Sequence, residues 1–145
     1  MKNKGFTLIE LLLYISLSSI IIFITAMFLM TLLEVRVKNQ TIATVDQEGN
    51  QAMSIMTQSL RNATAINSPA VAGQGSTLSL TTGVAGKDPT IFTLSSGVIT
   101  MQEGASAAVP LTSNLVVISN LNFRNLSRPD TPGNVDITFT VDHIH

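Results

Sequence analysis

The sequence contains no cysteine and no tryptophan, it has a single tyrosine, and charged residues make up only 12% of its 145 residues. The absence of cysteine excludes disulfides, thiolate metal sites and cysteine nucleophiles. A net charge of −1, without a block of like charges, gives no strong reason to expect nucleic acid as a partner. Few aromatic residues are available to form a binding cage. A small domain of this kind must be stabilised by its own core or by neighbouring chains.

A long apolar segment lies near the N-terminus. From Leu11 to Leu33 no residue carries a formal charge, and a helix of this length spans about 34 Å against a hydrocarbon core of about 30 Å. The hydroxyl groups within it can donate to carbonyls of the same helix. A secretory signal peptide has a shorter apolar core and ends at a small-residue cleavage site, whereas Ala26 is followed by Met27 and Phe28. We therefore expect a retained membrane-spanning helix.

The basic residues around this segment do not decide its orientation by count. Lys2 and Lys4 precede it, and Arg36 and Lys38 follow it, so the two flanks are equal. The short N-terminal flank favours a cytoplasmic N-terminus and an extracytoplasmic C-terminal domain. We expect a single-pass protein of the inner, cytoplasmic membrane.

A second helical pattern continues beyond the apolar segment, over residues 34–66. Apolar or small residues follow one another at steps of three and four, which is typical of an amphipathic helix. They are Ile42, Val45, Gly49, Ala52, Met53, Met56, Leu60 and Ala63. Gly49 predicts a bend or a frayed turn, and Glu48 falls on the polar face. Because the residue before proline avoids helical dihedrals, Ser68-Pro69 predicts the end of the element.

From Gly73 onward the pattern changes to period two, which is typical of β-strands. The predicted strands lie at 76–81, 90–94, 98–101, 115–118, 120–124 and 135–142. Ser95-Ser96-Gly97 between two of them predicts a hairpin. The sequence therefore predicts an α+β fold, in which a β-sheet domain over 73–145 packs on the amphipathic part of the long helix.

The heptapeptide Lys4–Glu10 places one carboxylate at the start of the apolar run, where ionisable groups are costly and often functional. This order of residues resembles the N-terminal signal of type IV prepilins and type II secretion pseudopilins. The resemblance implies a leader at 1–5, cleavage by prepilin peptidase between Gly5 and Phe6, methylation of the new N-terminal Phe6, and an assembly helix at 6–33. Glu10 is then the carboxylate required for assembly. The implied partners are other pilin subunits, the peptidase, the inner-membrane assembly platform and the membrane.

Later segments resemble the J and W classes of minor pilins and pseudopilins. They are Gln58–Ile66, Pro110–Ser113 and the strands of 116–123. This likeness favours a minor subunit that helps to start or cap a type IV pilus-like or type II secretion filament. Because the last strand stops abruptly at His145, we expect the chain to be short relative to such proteins.

Two other functions stay open from the sequence: a DNA-uptake or adhesion pilin that binds a ligand, and a membrane-anchored domain unrelated to filaments. The choice among pilus, secretion and competence machines also stays open. We expect neither an enzyme nor a cofactor, because no nucleophile set, phosphate loop or paired-acid site stands out. His143-x-His145 has a spacing compatible with metal ligation, but a chain end is the simpler interpretation, and no metal site is predicted.

Overall fold

A computed structural model describes residues 5–128 and 133–144 of the chain. These residues form one helix and eight strands. They are α1 (Leu8–Asn62), β1 (Ala65–Ser68), β2 (Gln74–Gly75), β3 (Leu78–Thr81), β4 (Thr90–Ser95), β5 (Val98–Glu103), β6 (Val109–Pro110), β7 (Val116–Asn125) and β8 (Val135–His143). The chain divides into two compact units, with the boundary between Thr41 and Ile42. The α+β, pilin-like fold class is confirmed.

The described part of the N-terminal unit is the first part of α1 with three residues before it, and it has no core of its own. Its residues 5–40 are all exposed, including Leu8 (77%) and Ile22 (67%). By length and composition this part of α1 is apolar enough to cross a membrane. The helix begins at Leu8, two residues after the predicted start at Phe6, because Thr7 occupies its N-cap.

α1 ends at Asn62, so the prediction of helix up to residue 66 is wrong. The Thr64 amide donates to the Thr81 carbonyl (2.7 Å), and the Thr64 hydroxyl donates to the same oxygen (3.0 Å). β1 then pairs antiparallel with β3, with Ile66 opposite Leu80. The chain therefore leaves the helix because its backbone groups find partners in β3, and the β domain starts at Ala65 instead of residue 73.

Two antiparallel sheets replace the single predicted sheet. One has the strand order β1-β3-β4-β5-β6 and the other β2-β7-β8. The predicted hairpin is confirmed: Ser95 pairs with Val98 across a two-residue turn. Its central residues, Ser96 and Gly97, have φ of 51° and 79°, which is typical of a type I′ turn, whose twist matches that of the flanking strands.

β7 joins two segments that the sequence pattern separates, 115–118 and 120–124, and in both of them more buried residues alternate with more exposed ones. Its register against β8 shifts between Ser119 and Asn122, and Asn120 has a φ of 54°. This bulge changes the phase of alternation, so Ile118 and Leu121 both face the core although they are three residues apart.

The core of the second unit lies between the end of α1 and the two sheets. Its buried members are Ala52, Met56, Leu78, Leu80, Phe92, Ile99, Val116, Ile118, Leu121 and Phe123. α1 runs through Gly49 without the expected interruption. A Cβ built on Gly49 would lie 3.3 Å from Cγ2 of Val141, so this glycine allows β8 to approach the helix closely.

Two polar side chains fasten loops to this core. The Ser113 amide donates to the Glu48 carboxylate at 3.0 Å, although the sequence pattern places Glu48 on the solvent-facing side of the helix. Asn125 is 2% exposed; its side-chain nitrogen donates to the Pro69 carbonyl (2.8 Å), and its side-chain oxygen accepts from the Ser127 amide (3.0 Å). Both contacts hold irregular backbone against regular structure.

Candidate functional site

The residues of the predicted cleavage site lie just outside the helix. Gly5, Phe6 and Thr7 are non-helical and exposed, and the Phe6 side chain is 69% exposed. A Cβ built on Gly5 would meet no atom within 4 Å. Within the described residues, the peptide bond between Gly5 and Phe6 is therefore open to solvent and free of helical hydrogen bonds.

Thr7 is the N-cap of α1. Its carbonyl accepts the first intrahelical hydrogen bond, from the Leu11 amide at 3.2 Å. Its hydroxyl oxygen accepts from the Glu10 amide at 3.3 Å, three residues further along, as an N-cap side chain does. The sequence predictions did not include Thr7. The signal was present, since Thr-x-x-Glu before an apolar run is a capping-box pattern.

Glu10 lies in the first turn of α1 and is exposed. A carboxylate at this position is stabilised by the unpaired amides and the positive end of the helix dipole. The structure thus places the N-cap Thr7 between the non-helical Phe6 and Glu10 in the first turn of the helix. The roles predicted for Gly5, Phe6 and Glu10 in cleavage, methylation and assembly stay predictions.

The Phe6 ring lies against the start of the apolar segment. Its centroid is 5.7 Å from that of Tyr14, and the two ring planes are inclined by 52°. Tilted aromatic pairs at this distance are favourable. The contact holds the Phe6 side chain along the helix while its backbone stays outside it.

Four hydroxyl groups of the apolar segment donate to carbonyls of the same helix. Ser16 donates to the Leu13 carbonyl, Ser19 to that of Ser16, Thr25 to that of Ile21, and Thr31 to that of Met27. Each bond spans three or four residues and needs no partner from another chain or from water. These side chains are therefore compatible with an apolar environment, as expected from the sequence.

The loop between β3 and β4 in the second unit is held by a carboxylate. The Asp88 carboxylate accepts from the Thr82 amide (2.5 Å), the Thr82 hydroxyl (2.8 Å) and the Gly83 amide (2.9 Å). The hydrogen bond from the Thr82 amide, followed by that from its hydroxyl, lowers the pKa of Asp88, against a smaller opposing effect of desolvation. The carboxylate holds the β3–β4 loop closed.

A cavity of about 560 Å³ lies at the end of α1, beside β1 and the end of β7. Arg61 is the one charged residue among those of its lining residues that the structure describes, and the rest are apolar, hydroxyl or amide groups. This lining supplies no acid–base pair. Among the described residues no group of three or more His, Asp or Glu is placed to hold a metal ion, and His145 lies outside them.

The candidate functional site therefore lies at the start of α1. It consists of the exposed Gly5–Phe6 peptide bond, the N-cap Thr7 and Glu10 in the first turn of an apolar helix. The family model of the prokaryotic N-terminal methylation motif matches residues 1–29. This match supports a type IV pilin-like protein that is processed at its N-terminus, and a candidate membrane-spanning helix fits anchoring in a membrane. The comparison with curated proteins found no match, and neither did the comparison with solved structures.

Proposed function

We propose that this chain is a minor pilin or pseudopilin, a structural subunit that helps to start or cap a type IV pilus-like or type II secretion filament. Prepilin peptidase cleaves it between Gly5 and Phe6, and Phe6 is then methylated. The observation that carries the proposal is the match of the methylation motif to a segment whose scissile bond is exposed and whose helix carries Glu10 in its first turn.

The exposed apolar helix supports assembly because its surface must be covered. Residues 5–40 bury nothing among the described residues, and Phe23 is 66% exposed. Soluble proteins rarely expose contiguous apolar surface on this scale. Lipid covers the helix while the protein is anchored in the inner membrane, and the helices of other subunits cover it in a filament.

Glu10 supports a filament more specifically than apolar surface does. A charge among packed apolar helices is expensive unless it is paired. Cleavage at Gly5 frees an α-ammonium on Phe6, which can pair with Glu10 of an adjacent subunit and fix the axial register of the two helices. The same cleavage removes Lys2 and Lys4, which do not fit an apolar bundle.

The minor role is supported by the late segments that resemble the J and W classes and by the absence of cysteine, which excludes the disulfide loop of many major pilins. In this proposal the second unit is extracytoplasmic. Its role is to form part of a filament with other subunits, and not to bind a ligand. The adhesion and DNA-uptake alternative gains no specific support from the few exposed basic residues of that unit.

The direct test is the mass of the mature N-terminus after expression with prepilin peptidase. We expect a chain that starts at N-methylated Phe6. A chain that starts at Met1 would contradict the proposal.

The assembly role of Glu10 is tested with Glu10→Ala. We expect the variant to insert into the membrane and to be cleaved normally, but to be missing from sheared filaments, with at least about a tenfold loss if pairing contributes 1.4 kcal/mol or more. Glu34→Ala removes the acidic residue that follows the apolar run and is the matched control, expected to assemble normally. Incorporation of Glu10→Ala at the wild-type level would contradict the assembly role of Glu10.

A further inference from the structure

Thr7 separates the predicted cleavage site from the helix that follows it. Gly5, Phe6 and Thr7 are non-helical, and α1 begins at Leu8. The boundary is fixed by two hydrogen bonds to Thr7, one from the Leu11 amide to its carbonyl and one from the Glu10 amide to its hydroxyl. The scissile bond thus lies one residue upstream of the N-cap Thr7 and two residues upstream of the first helical residue, Leu8.

A cap of this kind decides among competing helix starts. The next upstream residue with a good N-cap side chain is Asn3. A helix capped by Asn3 would place Gly5 and Phe6 in its first turn and would fix the dihedrals of the bond between them. Gly5 disfavours that longer helix, since glycine is a poor helix former. Thr7 adds a second, independent preference for the start at Leu8.

We propose that Thr7 is a positioning residue for N-terminal processing. By capping α1 at Leu8, it keeps the Gly5–Phe6 peptide in the open, non-helical conformation that the peptidase binds. This inference rests on the proposed processing. Hydrolysis breaks the bond between the Gly5 carbonyl carbon and the Phe6 nitrogen and adds water, leaving a carboxylate on Gly5 and an ammonium on Phe6; Thr7 does not enter that step.

The test compares three variants of the full chain in membranes with prepilin peptidase, with the initial rate of leader removal as the readout. Thr7→Val keeps the shape of the side chain and removes the acceptor, so we expect cleavage to slow about fivefold, the change that losing a cap of average strength gives. Thr7→Ser and Thr7→Asn keep capping ability with different shapes, and we expect both to be cleaved at close to the wild-type rate.

Amide hydrogen exchange of the uncleaved chain in micelles gives a second readout. Thr7→Val should lose protection at the Glu10 amide and gain protection at upstream amides, whereas Thr7→Asn should match the wild type. Equal cleavage rates for Thr7→Val and the wild type would overturn the inference. Slow cleavage of both Thr7→Val and Thr7→Asn would also overturn it, because the peptidase would then recognise the threonine side chain itself. Failure of the wild type to be cleaved would instead overturn the proposed function.

Discussion

The two units of this chain use apolar residues in opposite ways. In the first unit large apolar side chains such as Phe23 are exposed along a helix. In the second unit Phe123 is fully buried between a helix and two sheets. Burial within the chain therefore stabilises the second unit, whereas residues 5–40 of the first unit are all exposed. Hydrophobic composition alone does not tell these situations apart, but the position of polar residues does.

The largest expected contrast comes from a matched pair of phenylalanine substitutions. Phe123→Ala should lower the free energy of unfolding of the second unit by about 3–5 kcal/mol, because it removes buried apolar surface and leaves a cavity. Phe23→Ala should leave that stability unchanged. Hydrogen exchange of the β7 amides in detergent micelles measures both. A comparable loss from the two variants would abolish the distinction between the units.

A smaller effect is expected where the helix touches β8. Gly49→Leu forces a side chain into the space next to Val141 and should cost about 1–3 kcal/mol. Asn50→Leu changes the exposed neighbouring residue and should alter the stability by no more than about 0.5 kcal/mol. Urea unfolding followed by circular dichroism compares them. Equal stabilities would show that the close packing of helix and strand is unimportant.

Glu48 provides a third test, on a polar contact of the same unit. Glu48→Ala leaves the Ser113 amide without its acceptor and should cost about 1–2 kcal/mol. Glu48→Gln retains an acceptor oxygen and should recover most of that loss. The same urea titration distinguishes them, and a Glu48→Ala variant as stable as the wild type would remove Glu48 from the interactions that hold the second unit together.

The smallest effect concerns Asp88 and acid. Because hydrogen bonds from Thr82 lower the pKa of Asp88 in the folded state, its stabilising contribution is present above the ordinary aspartate pKa and is lost as the pH falls through the lowered value. Unfolding curves between about pH 5 and pH 2 should therefore show less acid sensitivity for Asp88→Asn than for the wild type. Identical pH profiles would mean that the closed loop contributes nothing to stability.

Much of this architecture follows from local patterns. The apolar run and the helical period after it predict α1, the alternation over 135–142 predicts β8, and Ser95-Ser96-Gly97 predicts the hairpin. These succeed because each depends on residues close together in the sequence. The end of α1 was misplaced because the helical pattern continues to Ala63, while the groups that end the helix lie in β3. Glu48 was assigned to solvent because its partner, Ser113, is 65 residues away.

The candidate site divides in the same manner. Gly5, Phe6 and Glu10 were identified from a contiguous motif, and the structure adds that their peptide bond is exposed and the helix starts beyond it. Thr7 was missed although its capping pattern is equally local. Glu10 was identified because it is charged, whereas the Thr7 hydroxyl is neutral. A capping pattern can thus be present in the sequence, and its role is recognised only when the structure shows the hydrogen bond.

The buried amide of Asn125 has a consequence for covalent modification. Asn125-Leu126-Ser127 matches the acceptor pattern for N-linked glycans, which requires a reachable side-chain nitrogen. In the folded domain that nitrogen donates to the Pro69 carbonyl, and the residue is 2% exposed. A glycan could be attached here only before the domain folds, and once attached it would keep the loop around Pro69 from closing. In any host that glycosylates such acceptors, folding of this domain and sugar transfer to Asn125 would exclude each other.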